Sequence, residues 1–131
     1  VLVAEDNRIN QKVILGMLQK YHGISADCCD NGEQAVARLR EGEPYDLVLM
    51  DCEMPVMDGY EATRHIRALP PPRNAVAIAA LTAHAVPELR EKAFAAGVDH
   101  YLTKPLSRGA VDALIRTVSE ALPPADRALP S

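Results

Sequence analysis

Asp46-Leu47-Val48-Leu49-Met50-Asp51 is the stretch that decides the fold. An unbroken apolar run between two aspartates is the clearest strand in the chain. A strand so uniformly apolar is buried on both faces, as in parallel sheets. Reading outward, Val1-Leu2-Val3-Ala4 and Ala75 to Leu81 have the same character, Asp99 to Thr103 is a short version, and Ile24 to Cys29 a weaker one. Helical spacing fills the intervals. Asn7 can cap a first helix whose Ile9, Val13, Met17 and Leu18 are expected to face inward, and Gly23 ends it. Ala35, Val36 and Leu39 mark a second helix, ended by Gly42 and Pro44. A third starts at Asp58-Gly59 and runs to about Leu69. Pro70-Pro71-Pro72 is a surface connection. Pro87 opens a fourth helix carrying Leu89, Ala93 and Ala96, with Gly97 at its end. The fifth runs from Leu106 to about Leu122, with Val111, Leu114, Val118 and Leu122 in register, and Pro123-Pro124 stop it. Strands alternating with helices predict an α/β fold: one doubly wound, five-stranded parallel sheet, order 2-1-3-4-5, flanked by five helices. The domain is expected over residues 1–122, with a flexible tail over 123–131.

The totals agree with one globular domain. The chain has 131 residues, 48% hydrophobic and 24% charged, with 14 Lys+Arg against 18 Asp+Glu for a net charge of −4. That balance offers no basic field for nucleic acid. No apolar run approaches a membrane span, and no signal peptide is expected. Cys28, Cys29 and Cys52 lack zinc-ligand spacing and read as reduced thiols of a cytoplasmic domain. The chain opens without Met, so it is expected to be cut from something longer.

In doubly wound sheets, ligands bind at the carboxyl ends of the strands. Here those ends read Glu5-Asp6, then Asp51 followed by Glu53, then Leu81-Thr82-Ala83, then Thr103-Lys104-Pro105. In the expected strand order they converge on a cup of carboxylates, a hydroxyl and an ammonium. Crowded carboxylates repel one another, and a hard divalent cation such as Mg²⁺ relieves that. Cation, lysine and hydroxyl around a carboxylate nucleophile form the clamp that phosphoryl transfer needs, with an acyl phosphate as product.

The stretches V-L-V-A-E-D-N, D-L-V-L-M-D-C-E-M-P-V-M-D-G, A-A-L-T-A-H-A and A-G-V-D-H-Y-L-T-K-P-L, in that order from Val1 to Leu106, resemble the response-regulator receiver domain of two-component signalling. The opening V-L-V-A-E-D-N-R-I-N-Q-K-V further resembles receivers of hybrid sensor histidine kinases. The resemblance implies a flavodoxin-like fold and a cytoplasmic, monomeric phospho-acceptor that catalyses its own phosphorylation and dephosphorylation; the parent protein could itself be membrane-anchored. Asp51 would accept the phosphoryl group. Glu5, Asp6, Asp51 and the backbone carbonyl of Glu53 would hold Mg²⁺. Lys104 would pair with the phosphoryl group, and Thr82 would bond its oxygen. Tyr101 would turn inward with Thr82, switching the surface of helix four, strand five and helix five. Lys104-Pro105 is expected to be cis. Glu53 and His84 would tune the loss of the phosphoryl group. The partner would be a histidine kinase domain or a histidine phosphotransfer protein, with no nucleic acid or membrane contact.

Plainer readings stand beside these. Asp51 could merely cap a turn, Glu5-Asp6 could favour a helix N-terminus, and Tyr101 could be packing. His22, His65, His84 and His100 read as surface residues, Cys52 as strand-end filler, and Met50, Met54 and Met57 as packing. Three rival functions remain. A phosphatase of the haloacid dehalogenase type also uses an Asp with an acid two residues on, but expects D-x-D-x-[TV] and a longer chain. A nucleotide- or flavin-binding module needs a Gly-rich turn where this chain has Glu-Asp-Asn-Arg. A non-phosphorylated binding module would lack the acceptor Asp or the Lys, and both are here.

Overall fold

A computed structural model describes residues 1–42 and 44–121. The expected tail, 123–131, lies outside the described residues, as does Leu122. In chain order the elements are β1 (Leu2–Ala4), α1 (Arg8–His22), β2 (Asp27–Cys29), α2 (Gly32–Glu41), β3 (Leu47–Asp51), α3 (Gly59–Arg67), β4 (Ala77–Thr82), α4 (Pro87–Ala96), β5 (His100–Thr103) and α5 (Arg108–Ala121). All strands pair in parallel, in the order β2-β1-β3-β4-β5.

The solid apolar runs follow from two cores, one on each side of the sheet. Successive strand side chains point to opposite faces. Leu2, Ala4, Val48, Met50, Ile78 and Ala80 join the core under α2, α3 and α4. Val3, Leu47, Leu49, Ala79 and Leu81 join the one under α1 and α5. Neither face of the central strands meets water, so neither tolerates polar alternation.

Short polar residues start the helices as their spacing suggested. Asn7 Oδ1 accepts from the amides of Ile9 at 2.9 Å and Asn10 at 3.0 Å. Asp58 Oδ1 accepts from Glu61 N at 2.8 Å at the start of α3. Gly23, at φ 64°, closes α1 in the left-handed region that glycine enters freely. Boundaries differ at the margins. β2 is confined to Asp27–Cys29, and a 3-10 turn over Arg73–Ala75 takes Ala75, expected to begin β4, which starts at Ala77. α3 stops at Arg67, whose guanidinium donates to the carbonyls of Gly97, Asn74 and Val76 and pairs with Asp99.

The face of α1 is the main correction. Its buried positions are Gln11, Ile14, Leu18 and His22, while Ile9 is 72% and Val13 53% exposed. Hydrophobicity alone ranks Ile9 and Val13 above Gln11 and His22. Hydrogen bonds reverse that ranking, because a buried polar group costs little once partnered. Gln11 bonds Glu5 and Asp30, and the His22 ring bonds Asp112 Oδ1 on α5 at 2.7 Å. His22 is therefore a buried link between two helices rather than a surface residue. His100 is half-buried, while His65 and His84 are exposed.

Candidate functional site

The four strand ends meet at one end of the sheet. β1 delivers Glu5, fully buried, and Asp6, exposed; β3 delivers Asp51, buried. The Lys104 ammonium, just past β5, bonds Glu5 Oε1 at 3.0 Å and Asp51 Oδ2 at 2.9 Å. Asp51 Oδ1 accepts from the Glu53 amide at 3.1 Å. The Lys104-Pro105 bond is cis.

Charge sets the protonation preferences. Burial, then the neighbouring Asp51 carboxylate, raises the Glu5 carboxyl above its usual range, and Lys104 only partly offsets this. Burial acts to lower the Lys104 ammonium, but its bonds to Asp51 and Glu5 win and leave it above its ordinary value. Cys52 is a buried thiol pushed up to about 11, chiefly by burial, which fits the filler reading and not a reactive thiolate. Met50 lies within the core, and Met54 and Met57 pack against it.

The donor set fits a hard divalent cation. Carboxylate oxygens from Glu5, Asp6 and Asp51 lie within 4.8 Å of one another. The buried Glu5 Oε2 has no hydrogen-bond partner among the described residues. A fully buried carboxylate oxygen left unpaired is costly, and a cation would satisfy it.

Two expected residues make their hydrogen bonds to His84 and not, among the described residues, to Asp51. The Thr82 hydroxyl is buried but engages its own loop, accepting from His84 N at 3.1 Å. Tyr101 is half-buried against the core, and its hydroxyl donates to the His84 carbonyl at 3.2 Å. His84 and Glu53 meet across the mouth, Nε2 to Oε1, at 3.3 Å.

Sequence reasoning missed an apolar rim. Among the described residues, the exposed large hydrophobics include Ile9 and Val13 on α1, Val56 after β3 and Val86 after β4. All follow strands at the end that carries Asp51. Val56 also has φ 68°, in a turn closed by Met57 N donating to Pro55 O at 2.7 Å. A β-branched residue there costs about 1–3 kcal/mol, a strain that concentrates at functional sites. On α1 it is the inversion of the helix face, seen in three dimensions, that exposes Ile9 and Val13.

Known proteins resemble this chain in sequence and fold. A family model described as the response regulator receiver domain matches residues 1–116. The two-component response regulator ORR41 of Oryza sativa subsp. japonica is 43% identical over 110 residues, spanning 82% of this chain and 84% of that protein. Hybrid signal transduction histidine kinase B of Dictyostelium discoideum is 38% identical over 132 residues, spanning 93% of this chain and 6% of that protein. The histidine kinases matched are far longer, and this chain spans 6% to 12% of their length. Among solved structures, the receiver domain of the sensor histidine kinase PA1611 from Pseudomonas aeruginosa PAO1 superposes with a TM-score of 0.78 at 42% identity, covering 91% of this chain and 93% of that one. That structure carries a magnesium ion coordinated in its active site cleft. Among the described residues no helix is long and apolar enough to cross a membrane. With the family model covering all but the last stretch of the chain, and with relatives at this identity, the acidic cup belongs to a member of the response regulator receiver domain family of two-component signalling.

Proposed function

We propose that Asp51 accepts a phosphoryl group from a phosphohistidine on a histidine kinase domain or a histidine phosphotransfer protein. The observation that carries this is the Lys104 ammonium bridging Asp51 and Glu5 inside a three-carboxylate cup. Asp51 oxygen forms a bond to phosphorus as the phosphorus–nitrogen bond to the histidine breaks, and the departing imidazole takes a proton. Lys104 holds Asp51 in place beforehand and neutralises phosphoryl charge as it arrives. Glu5, Asp6, Asp51 and the Glu53 carbonyl would hold Mg²⁺, which when bound would neutralise charge on the phosphoryl oxygens. The test is mass spectrometry after incubation with acetyl phosphate and Mg²⁺. The chain is expected to gain one phosphoryl group, and Asp51→Asn to gain none. Turnover of small phosphate esters instead would favour the phosphatase reading.

After transfer, the Thr82 hydroxyl, which donates to the His84 carbonyl at 3.3 Å, exchanges that acceptor for a phosphoryl oxygen. Since Thr82 and Tyr101 both engage His84, that exchange propagates to α4, β5 and α5. Across the mouth, the Glu53–His84 pair limits the approach of water. Replacing both with Ala is expected to shorten the lifetime of the aspartyl phosphate a few-fold, measured by the decay of the phosphorylated mass; an unchanged lifetime would remove the idea.

The donor docks on α1 and the neighbouring loops. Ile9, Val13 and Gly16 share one stripe of α1, and a Cβ at Gly16 would meet nothing within 4 Å. Mid-helix glycine costs about 1 kcal/mol against alanine, so the free domain gains nothing from it. A partner helix laid close against α1 would. Gly16→Ala is expected to stabilise the free domain by about 1 kcal/mol in denaturant unfolding while slowing phosphotransfer from the protein donor. Phosphorylation by acetyl phosphate should not change.

The free cysteines Cys28, Cys29 and Cys52 and the hybrid kinases among the relatives support a cytoplasmic receiver attached to, or served by, such a kinase. It would act as a monomer without nucleic acid.

A further inference from the structure

Gln11 is a polar side chain on the buried stripe of α1, only 6% exposed. Its amide nitrogen donates to the Glu5 carbonyl and to Asp30 Oδ1, the latter at 2.9 Å. On the other side of the same residue, Glu5 N donates to Cys29 O at 3.1 Å. Asp30 N in turn donates to Gln34 Oε1 at 2.8 Å, which fastens the loop to α2. Gln11 thus joins three parts of the molecule: α1, the end of β1 and the loop between β2 and α2. Both backbone groups of Glu5 are held at the point where the chain leaves the sheet and turns its carboxylate into the cup.

We propose that Gln11 is a positioning residue for the cation site, acting through the Glu5 backbone to set where the Glu5 and Asp6 carboxylates stand. The inference rests on the reading of that cup as a Mg²⁺ site. Mg²⁺ demands near-ideal ligand placement, and partners one shell beyond a metal's ligands commonly govern its affinity. A packing role alone needs no amide here: a long apolar side chain would fill the same space without the desolvation cost.

The experiment uses the whole chain and Mg²⁺ alone. Binding is followed by amide NMR shifts of the folded protein, and the metal-free melting temperature is measured beside it. Gln11→Met keeps a long unbranched side chain and removes both hydrogen bonds. It is expected to weaken Mg²⁺ binding about tenfold. A lower melting temperature with unchanged affinity would overturn the proposal. Asp30 provides a control for charge. Asp30→Ala and Asp30→Asn lose the same charge, but only Asn retains an acceptor for Gln11. Weaker binding with Ala than with Asn supports the proposal, and equal binding overturns it. This pair decides the matter if Gln11→Met does not fold. If the unaltered protein shows no Mg²⁺-dependent shifts, the cation reading itself falls; binding indifferent to Gln11 overturns the positioning role alone.

Discussion

Gly59→Ala is expected to yield a protein that is barely folded and gains no phosphoryl mass. An added Cβ would lie 2.2 Å from the Asp51 carbonyl oxygen, 2.9 Å from its carbon and 3.0 Å from Cys52 Cα. All three are backbone atoms at the end of β3, the central buried strand, so no side-chain rotation relieves the overlap. Gly59 N also donates to Cys52 O at 3.1 Å, so the two segments cannot part without losing that bond. Either α3 or the strand must move, at a cost of about 3–5 kcal/mol against a total stability of about 5–15. The measurement is the denaturant midpoint, with the acetyl phosphate assay on whatever remains folded. A wild-type midpoint would contradict the account. The same substitution at Gly16, where the space is open, is expected to act with opposite sign; the difference lies in the neighbours and not in glycine itself.

Lys104→Met is expected to cost about 3–5 kcal/mol at neutral pH and to abolish phosphorylation, because it strands two buried carboxylates. Glu5 and Asp51 both lose their ammonium partner, and Asp6 stands close by. Asp51→Asn should do the reverse in the metal-free protein. It removes the charge that crowds Glu5, while its amide oxygen can still accept from Lys104, for a gain of up to about 1 kcal/mol. A lower midpoint for Asp51→Asn would contradict this. The pH dependence has a definite sign. Glu5 titrates higher in the folded protein than in the unfolded chain, so between those two values the folded state holds the extra proton. Its contribution favours folding below the unfolded value and is lost as pH rises through the raised one. Measured by urea midpoints from acidic to neutral pH, that decline should be steeper in Lys104→Met and shallower in Asp51→Asn. Added Mg²⁺ should recover part of what Lys104→Met loses.

The reading of Asp46–Asp51 shows why so much of the fold was legible. A parallel sheet covered on both faces needs unbroken apolar strands, and few topologies satisfy the alternation that surrounds them. The strand-end rule then located Glu5, Asp6, Asp51, Thr82 and Lys104 without any distances. Edges were less legible: β2 is short because Ile24 and Ala26 pack on the α1–α5 side without joining the ladder.

The α1 helix marks the limit of that approach. Its pattern of Ile9, Val13, Met17 and Leu18 is a sound amphipathic stripe, yet the buried residues are Gln11, Ile14, Leu18 and His22, of which only Leu18 belongs to that stripe. Composition cannot say that Gln11 and His22 will find buried partners on Glu5, Asp30 and Asp112, residues distant in sequence or carried by other elements. Nor can it say that Thr82 faces His84 while Lys104 already bridges Asp51 and Glu5. By itself, then, the sequence determined the strands, the helices and the strand ends where acids and lysine lie, because burial and periodicity are local properties, and the crossover rule left few orders for the strands. Tertiary structure alone decided which polar groups pair, which apolar ones stay outside, and how the charges balance, because those depend on distances between residues far apart along the chain.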